Sequence, residues 1–158
     1  MGAGASNLVR ELDRQGYAIV AVDISASALR QLEATLLKPT HVDLIVADVR
    51  SVQLDEPVDT WHDRAVFHFF TAIADQDAYV RRVRSTLRVG GHVVLATFAP
   101  DGPEQCSGLA VARHDASSIS KRFGDAFAVV ESFELDHHTP WGTPQRFTHV
   151  VLRHVGAT

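Results

Sequence analysis

The chain has 158 residues, room for one hydrophobic core, and 46% of them are apolar against 22% charged, the balance of an ordinary soluble globular domain. A net charge of −4 argues against a nucleic-acid-binding surface, and no apolar run approaches the ~20 residues that cross a bilayer. The single cysteine, Cys106, can form no internal disulfide, and the nine histidines lack zinc-site spacing, so a cytoplasmic, metal-free protein without a secretory signal is expected.

In chain order, Met1-Gly2-Ala3-Gly4-Ala5-Ser6 is a Gly-x-Gly turn, and Leu8, Val9 and Leu12 then place one apolar face on a short helix closed by Gly16. Residues 17–22 read as a strand buried on both faces that ends at Asp23. Ser25 caps a second helix carrying Leu29, Leu32 and Leu36, with Pro39 beyond its end. Residues 42–47 form another strand, closing on Asp48, and residues 58–62 a shorter one. Tyr79, Val80, Val83 and Leu87 form the inner face of a helix, followed by a turn at Gly90-Gly91 and a strand over 92–98. A turn-rich loop (100–108), a short helix (115–123) and two long strands (127–135 and 147–153) complete the chain. The short connection between the last two makes them antiparallel. No linker divides the chain, so a single domain over 1–158 is expected: α/β, a mostly parallel sheet with helices on both faces and a C-terminal antiparallel hairpin.

In such sheets ligands bind at the carboxyl ends of the strands. Gly2 and Gly4 admit a ligand close to the backbone. Asp23, nineteen residues after Gly4, is suitably spaced to accept both hydroxyls of a ribose. Asp48, one strand later, is placed to meet an exocyclic amine or base edge. Each acid has the plainer reading of a turn former, but glycine, acid and acid at successive strand ends together point to a nucleoside. A dinucleotide fingerprint requires a third glycine where Asn7 stands, which disfavours an NAD-dependent oxidoreductase.

The glycine loop, Asp23, Asp48-Val49, Leu87-Arg88-Val89-Gly90-Gly91 and the final hairpin resemble a class I S-adenosylmethionine-dependent methyltransferase. More narrowly, Trp61-His62-Asp63-Arg64-Ala65-Val66-Phe67-His68-Phe69, Ala96-Thr97-Phe98-Ala99-Pro100-Asp101-Gly102-Pro103-Glu104, Cys106-Ser107-Gly108-Leu109 and Thr139-Pro140-Trp141-Gly142-Thr143 are similar to a bacterial subgroup of methyltransferase-domain proteins. The resemblance covers essentially the whole chain. It implies a Rossmann-like fold and S-adenosyl-L-methionine as cofactor, with Gly2 and Gly4 beside its methionine part, Asp23 on the ribose, and Asp48 with Val49 on the adenine. The family's pattern also has a strand ending in an acid before the glycine loop, lying between the strands that end at Asp23 and near His62. That first strand is missing here, so an N-terminally truncated domain is expected. Val89 replaces the family's proline in the turn.

On this resemblance the reaction is methyl transfer to an unidentified small-molecule or peptide acceptor, with no nucleic acid or membrane partner and an oligomeric state the sequence leaves open. The alternative is a non-catalytic remnant or binding module unable to hold the cofactor as a monomer. His62 and Asp63 are the candidate bases for the acceptor proton; Asp63 reads equally as a loop-ordering partner of Arg64. His68 reads as packed or capping, Trp61 as core, Cys106 as a half-buried thiol, and the 98–109 segment as the acceptor side.

Overall fold

Serine and glycine set the limits of the first helix. In the computed structural model, which describes residues 1–4, 6–37, 39–139 and 141–156, α1 (Asn7–Gln15) starts where Ser6 Oγ accepts the Val9 N–H. It stops where Gly16, at φ 83°, turns left-handed. Ala5 and Pro140, in two of the expected loops, lie outside the described residues. The chain divides into two units, Met1–Val52 and Gln53–Thr158.

In the first unit, β1 (Ile19–Asp23) and β2 (Val42–Val46) pair in parallel from Ile19↔Val42 to Asp23↔Val46, so both carboxyl ends lie side by side. Ser25 caps α2 (Ala26–Glu33) through the Ala28 N–H. That helix ends before Leu36, which still packs partly buried on a core of Val9, Ala21, Leu29, Leu32 and Val42. The strand expected from residue 17 begins at Ile19, the first residue that pairs with β2, opposite Val42. Asp13, wholly buried, accepts the Leu37 N–H at 2.6 Å and staples α1 to the segment after α2.

The second unit contains β3 (Val58–Arg64), α3 (Ile73–Thr86), β4 (Leu87–Phe98), a two-stranded hairpin of β5 (Gln105–Cys106) and β6 (Leu109–Ala110), α4 (Ala116–Phe123), β7 (Phe127–His138) and β8 (Pro144–His154). The main sheet runs β3-β4-β8-β7; β3 and β4 are parallel, and both β8 pairings are antiparallel. The C-terminal hairpin therefore stands as expected, in a mixed sheet.

Two local expectations change. Gly90-Gly91 is an irregularity inside β4 rather than a turn ahead of it. Leu87 already pairs with Val58, and regular pairing resumes at Thr60↔His92. A Cβ on Gly91 would lie 2.8 Å from the Asp59 carbonyl oxygen, so only glycine lets the two strands approach there. The 100–108 loop leads into the β5–β6 hairpin, whose turn residues Ser107 and Gly108 both have positive φ, at 52° and 79°.

Alternation along β3 sends Trp61 and Asp63 to one face of the sheet and His62 and Arg64 to the other. The Trp61 face packs on α3 and α4. Its core includes Tyr79, Val83, Val93, Leu95, Ile119 and Leu152, each at most 1% exposed. Phe123 and Tyr79 meet edge to face at 6.5 Å. Among the described residues, no helix is long and apolar enough to cross a membrane.

Candidate functional site

Both units place expected site residues at the carboxyl ends of parallel strands. In the first unit the glycine turn is tied to β1 at two points. Ala3 donates its N–H to the Val22 carbonyl at 3.1 Å, and Gly4 donates to Asp23 Oδ2 at 2.8 Å. Gly2 and Gly4 have φ 61° and 45°, so both use left-handed backbone. Asp23 Oδ1 accepts the Ser25 N–H at 2.8 Å. One carboxylate thus joins the loop before α1 to the loop before α2. Each oxygen has taken one donor and keeps a lone pair, so the half-buried group still has the acceptor capacity that two vicinal hydroxyls require.

Asp48 lies beside this pair, and the Ala47 N–H meets the Asp23 carbonyl at 3.0 Å. Its own carboxylate faces Arg50, whose Nε lies 3.0 and 3.1 Å from the two oxygens and whose Nη2 lies 2.5 Å from Oδ2. The Arg50 hydrogen bonds hold the Asp48 carboxyl below its ordinary value. Sequence reasoning passed over Arg50. An exocyclic amine reaching Asp48 must share it with a guanidinium, so Asp48 fits that role less freely than Asp23 fits a ribose. Val49 is buried beneath, 5% exposed.

In the second unit, Asp63 points into the core. It is wholly buried; Oδ2 accepts the Tyr79 hydroxyl at 2.6 Å and Oδ1 accepts the Val66 N–H at 2.9 Å. Trp61 Nε1 in turn donates to the Tyr79 oxygen at 2.9 Å, completing a buried relay of three side chains. Burial raises the Asp63 carboxyl above its ordinary value, and burial together with the Asp63 charge pushes the Tyr79 hydroxyl well up. The expected partnership of Asp63 with Arg64 does not form, because β3 continues through Arg64 and consecutive residues face opposite ways. Asp63 orders the loop instead: its bond to Val66 spans Ala65, held at φ 67°. Positive φ costs a non-glycine residue energy that the surrounding bonds must offset.

His62 faces the other way, half-buried, and burial lowers its imidazole, helped by the charges of Arg64 and His149. Its ring is therefore neutral near pH 7 and able to accept a proton. His68 lies in a short 3-10 helix (Phe67–Phe69), wholly buried between the Phe69 and Phe98 rings, both at 4.6 Å. The packed reading thus stands, as do Trp61 in the core and Cys106 half-buried. Among the described residues, no His, Cys, Asp or Glu cluster could hold a metal. Two clefts in this unit, ≈340 and ≈310 Å³, contain none of the expected site residues.

The family model described as a methyltransferase domain matches residues 1–95. A carboxy-S-adenosyl-L-methionine synthase of Shewanella sediminis is 28% identical over 120 residues, covering 72% of this chain and 47% of that protein. The chain thus spans less than half the length of this curated relative. Among solved structures, a SAM-dependent methyltransferase from Methanosarcina mazei superposes with a TM-score of 0.80 at 15% identity, covering 99% of this chain and 91% of that one. The 1,6-didemethyltoxoflavin-N1-methyltransferase of Burkholderia thailandensis gives 0.76 at 18% identity, covering 97% and 68%. At such identities the structures show the shared α/β Rossmann-like fold.

Proposed function

The chain belongs to the methyltransferase-domain family, and from that premise we propose that it binds S-adenosyl-L-methionine and transfers its methyl group to an acceptor. The observation that carries this reading is the Asp23 carboxylate, held at the end of β1 by the Gly4 and Ser25 amides with one lone pair left on each oxygen. The name of the Shewanella relative and the S-adenosylhomocysteine bound in the Burkholderia structure support a sulfonium nucleoside as the ligand.

In this reading Asp23 receives the ribose, Gly2 and Gly4 leave room for the methionine part, and Asp48 with Val49 borders the adenine. The bound cofactor supplies a methyl carbon activated by its positively charged sulfur. His62 accepts the proton of a nitrogen or oxygen nucleophile, since burial favours the neutral ring, the form that can take up a proton. Asp63 is a positioning residue: it fixes the loop after β3 through Val66 and touches no acceptor. The whole chain acts as a single methyltransferase-like domain in the cytoplasm, on a small-molecule or peptide acceptor.

The non-catalytic alternative has no observation in its favour. Calorimetry on the full chain tests the reading: S-adenosylhomocysteine binds and NAD does not. Binding of NAD, or of neither compound, overturns it.

A further inference from the structure

Arg64 ends β3 with a guanidinium that has no carboxylate partner among the described residues. Its guanidinium carbon lies 5.7 Å from the Phe147 ring centroid, within cation–π range. Register carries one row across all four strands: Arg64 pairs with Ala96, Ala96 with His149, and His149 with Phe133. The His149 and Phe133 rings stack at 4.8 Å with 4° between their planes. His62 stands two residues before Arg64 on the same face. Its row runs through Val94 and Val151 to Glu131, which puts that acid at the far strand of the sheet. One fixed positive charge is thus set among aromatic rings and two imidazoles at the end of a strand. The inward anchor of Asp63 and the left-handed Ala65 fix the turn on which Arg64 is presented.

We propose that Arg64 is the specificity-determining residue for the acceptor, and that the acceptor is a planar aromatic compound bearing a carboxylate. The guanidinium fork pairs with the carboxylate in two parallel hydrogen bonds. The ring of the acceptor lies against the His149–Phe133 stack, where Phe133 is 47% exposed, while Phe147, buried beneath the guanidinium, holds Arg64 in place. A single guanidinium matches a monoanion better than a phosphate dianion, which draws several cationic or amide donors. This assignment rests on the methyl-transfer reading.

The probe is 2-hydroxybenzoate, with its neutral isostere 2-hydroxybenzamide, titrated into the isotope-labelled full chain while the Arg64 Nε–H and the His149 ring are followed by NMR. S-adenosylhomocysteine is titrated separately into the same preparation. Expected are saturable shifts at both residues with the carboxylate, at least tenfold weaker binding of the amide, and at least tenfold weaker carboxylate binding in Arg64→Gln. Arg64→Lys falls between, keeping the charge and losing the fork. Arg64 is exposed and pairs with no carboxylate among the described residues, so the variants keep a melting temperature close to the wild-type value; the carboxylate–amide comparison needs no variant at all. Absence of a saturable shift, equal binding of the two probes, or unchanged affinity in Arg64→Gln overturns the proposal. If S-adenosylhomocysteine binds while any of these occurs, this inference fails alone. If S-adenosylhomocysteine does not bind, the methyl-transfer reading fails and the acceptor assignment falls with it.

Discussion

The Tyr79 hydroxyl reaches 2.6 Å to Asp63 Oδ2, joining the middle of α3 to the end of β3 with both side chains wholly buried. The same oxygen of Tyr79 accepts from Trp61 Nε1, so one hydroxyl satisfies two buried partners. Tyr79→Phe preserves the ring packing and leaves both without their bond. A buried polar group deprived of its partner costs about 1–3 kcal/mol. Tyr79→Phe should therefore lower the urea-unfolding free energy by about 2 kcal/mol or more, with S-adenosylhomocysteine affinity unchanged. A loss under about 0.5 kcal/mol would show the relay to be slack.

His68 makes the acid stability of the fold testable. Burial lowers its imidazole to about 4, and neither ring nitrogen has a hydrogen-bond partner among the described residues. A base whose folded value lies below its unfolded value of about 6.5 binds its proton preferentially in the unfolded chain. Its stabilising contribution is thus complete above pH 6.5 and is lost as pH falls toward 4. His62, His114 and His149 are lowered by burial and act in the same direction, while Asp63, raised by burial, acts in the opposite one. Comparison with His68→Phe cancels those shared contributions. Between pH 7.5 and 5 the wild-type urea midpoint should fall further than that of His68→Phe. Parallel curves would remove the assignment.

Much of this was readable in residue order, because capping and apolar spacing are local. Ser6, Ser25 and Asp115 each cap the helix expected after them, and Gly16 closes α1. Elements that depend on pairing with distant strands were not legible. Leu87 reads as the last apolar residue of a helix, yet it opens β4 because Val58 is there to pair with it. Residues 105–110 lack a strand-length apolar pattern, and only the turn through Ser107 and Gly108 makes them a hairpin. The site shows the same division. Asp23 was legible from its spacing after Gly4. The burial of Asp63 depends on Tyr79, sixteen residues later on another element. A period-two reading of β3 could have found this: once Trp61 is core, Asp63 is core too, and His62 and Arg64 face the other way. Arg50 was missed because its pairing with Asp48 is set by a tight turn rather than by any periodic pattern.

The role of Asp23 separates from that of Asp63 by readout. Charge-assisted hydrogen bonds from two ribose hydroxyls contribute about 1.5–3 kcal/mol, so Asp23→Ala should weaken S-adenosylhomocysteine binding about 10- to 150-fold in calorimetry. Asp23→Asn, which retains one acceptor for the Gly4 or Ser25 amide, should lose less. Asp63→Ala should lower stability and leave cofactor affinity within about twofold, since its carboxylate is enclosed by Tyr79 and Val66. Equal effects of Asp23→Ala and Asp63→Ala on affinity would remove the ribose assignment.

Asp48 offers a test of base recognition, because its contributions to folding and to binding are separable. The side chains of Arg50 and Asp48 are 35% and 38% exposed, and a pair so open to solvent contributes at most about 1 kcal/mol to folding. Asp48→Ala should therefore unfold at nearly the wild-type urea concentration. If the carboxylate also accepts from the exocyclic amine of adenine, the wild-type chain should prefer S-adenosylhomocysteine to S-inosylhomocysteine, in which a carbonyl replaces that amine. A carbonyl facing Asp48 would set two acceptors against each other, whereas an amine makes a charge-assisted bond. The preference should be about tenfold in the wild type and should largely disappear in Asp48→Ala. Arg50→Ala should sharpen it, because the guanidinium no longer shares the carboxylate. A preference that survives Asp48→Ala intact would assign base recognition to the backbone around Val49, and Asp48 would then be the turn former that its bonds to Arg50 already make it.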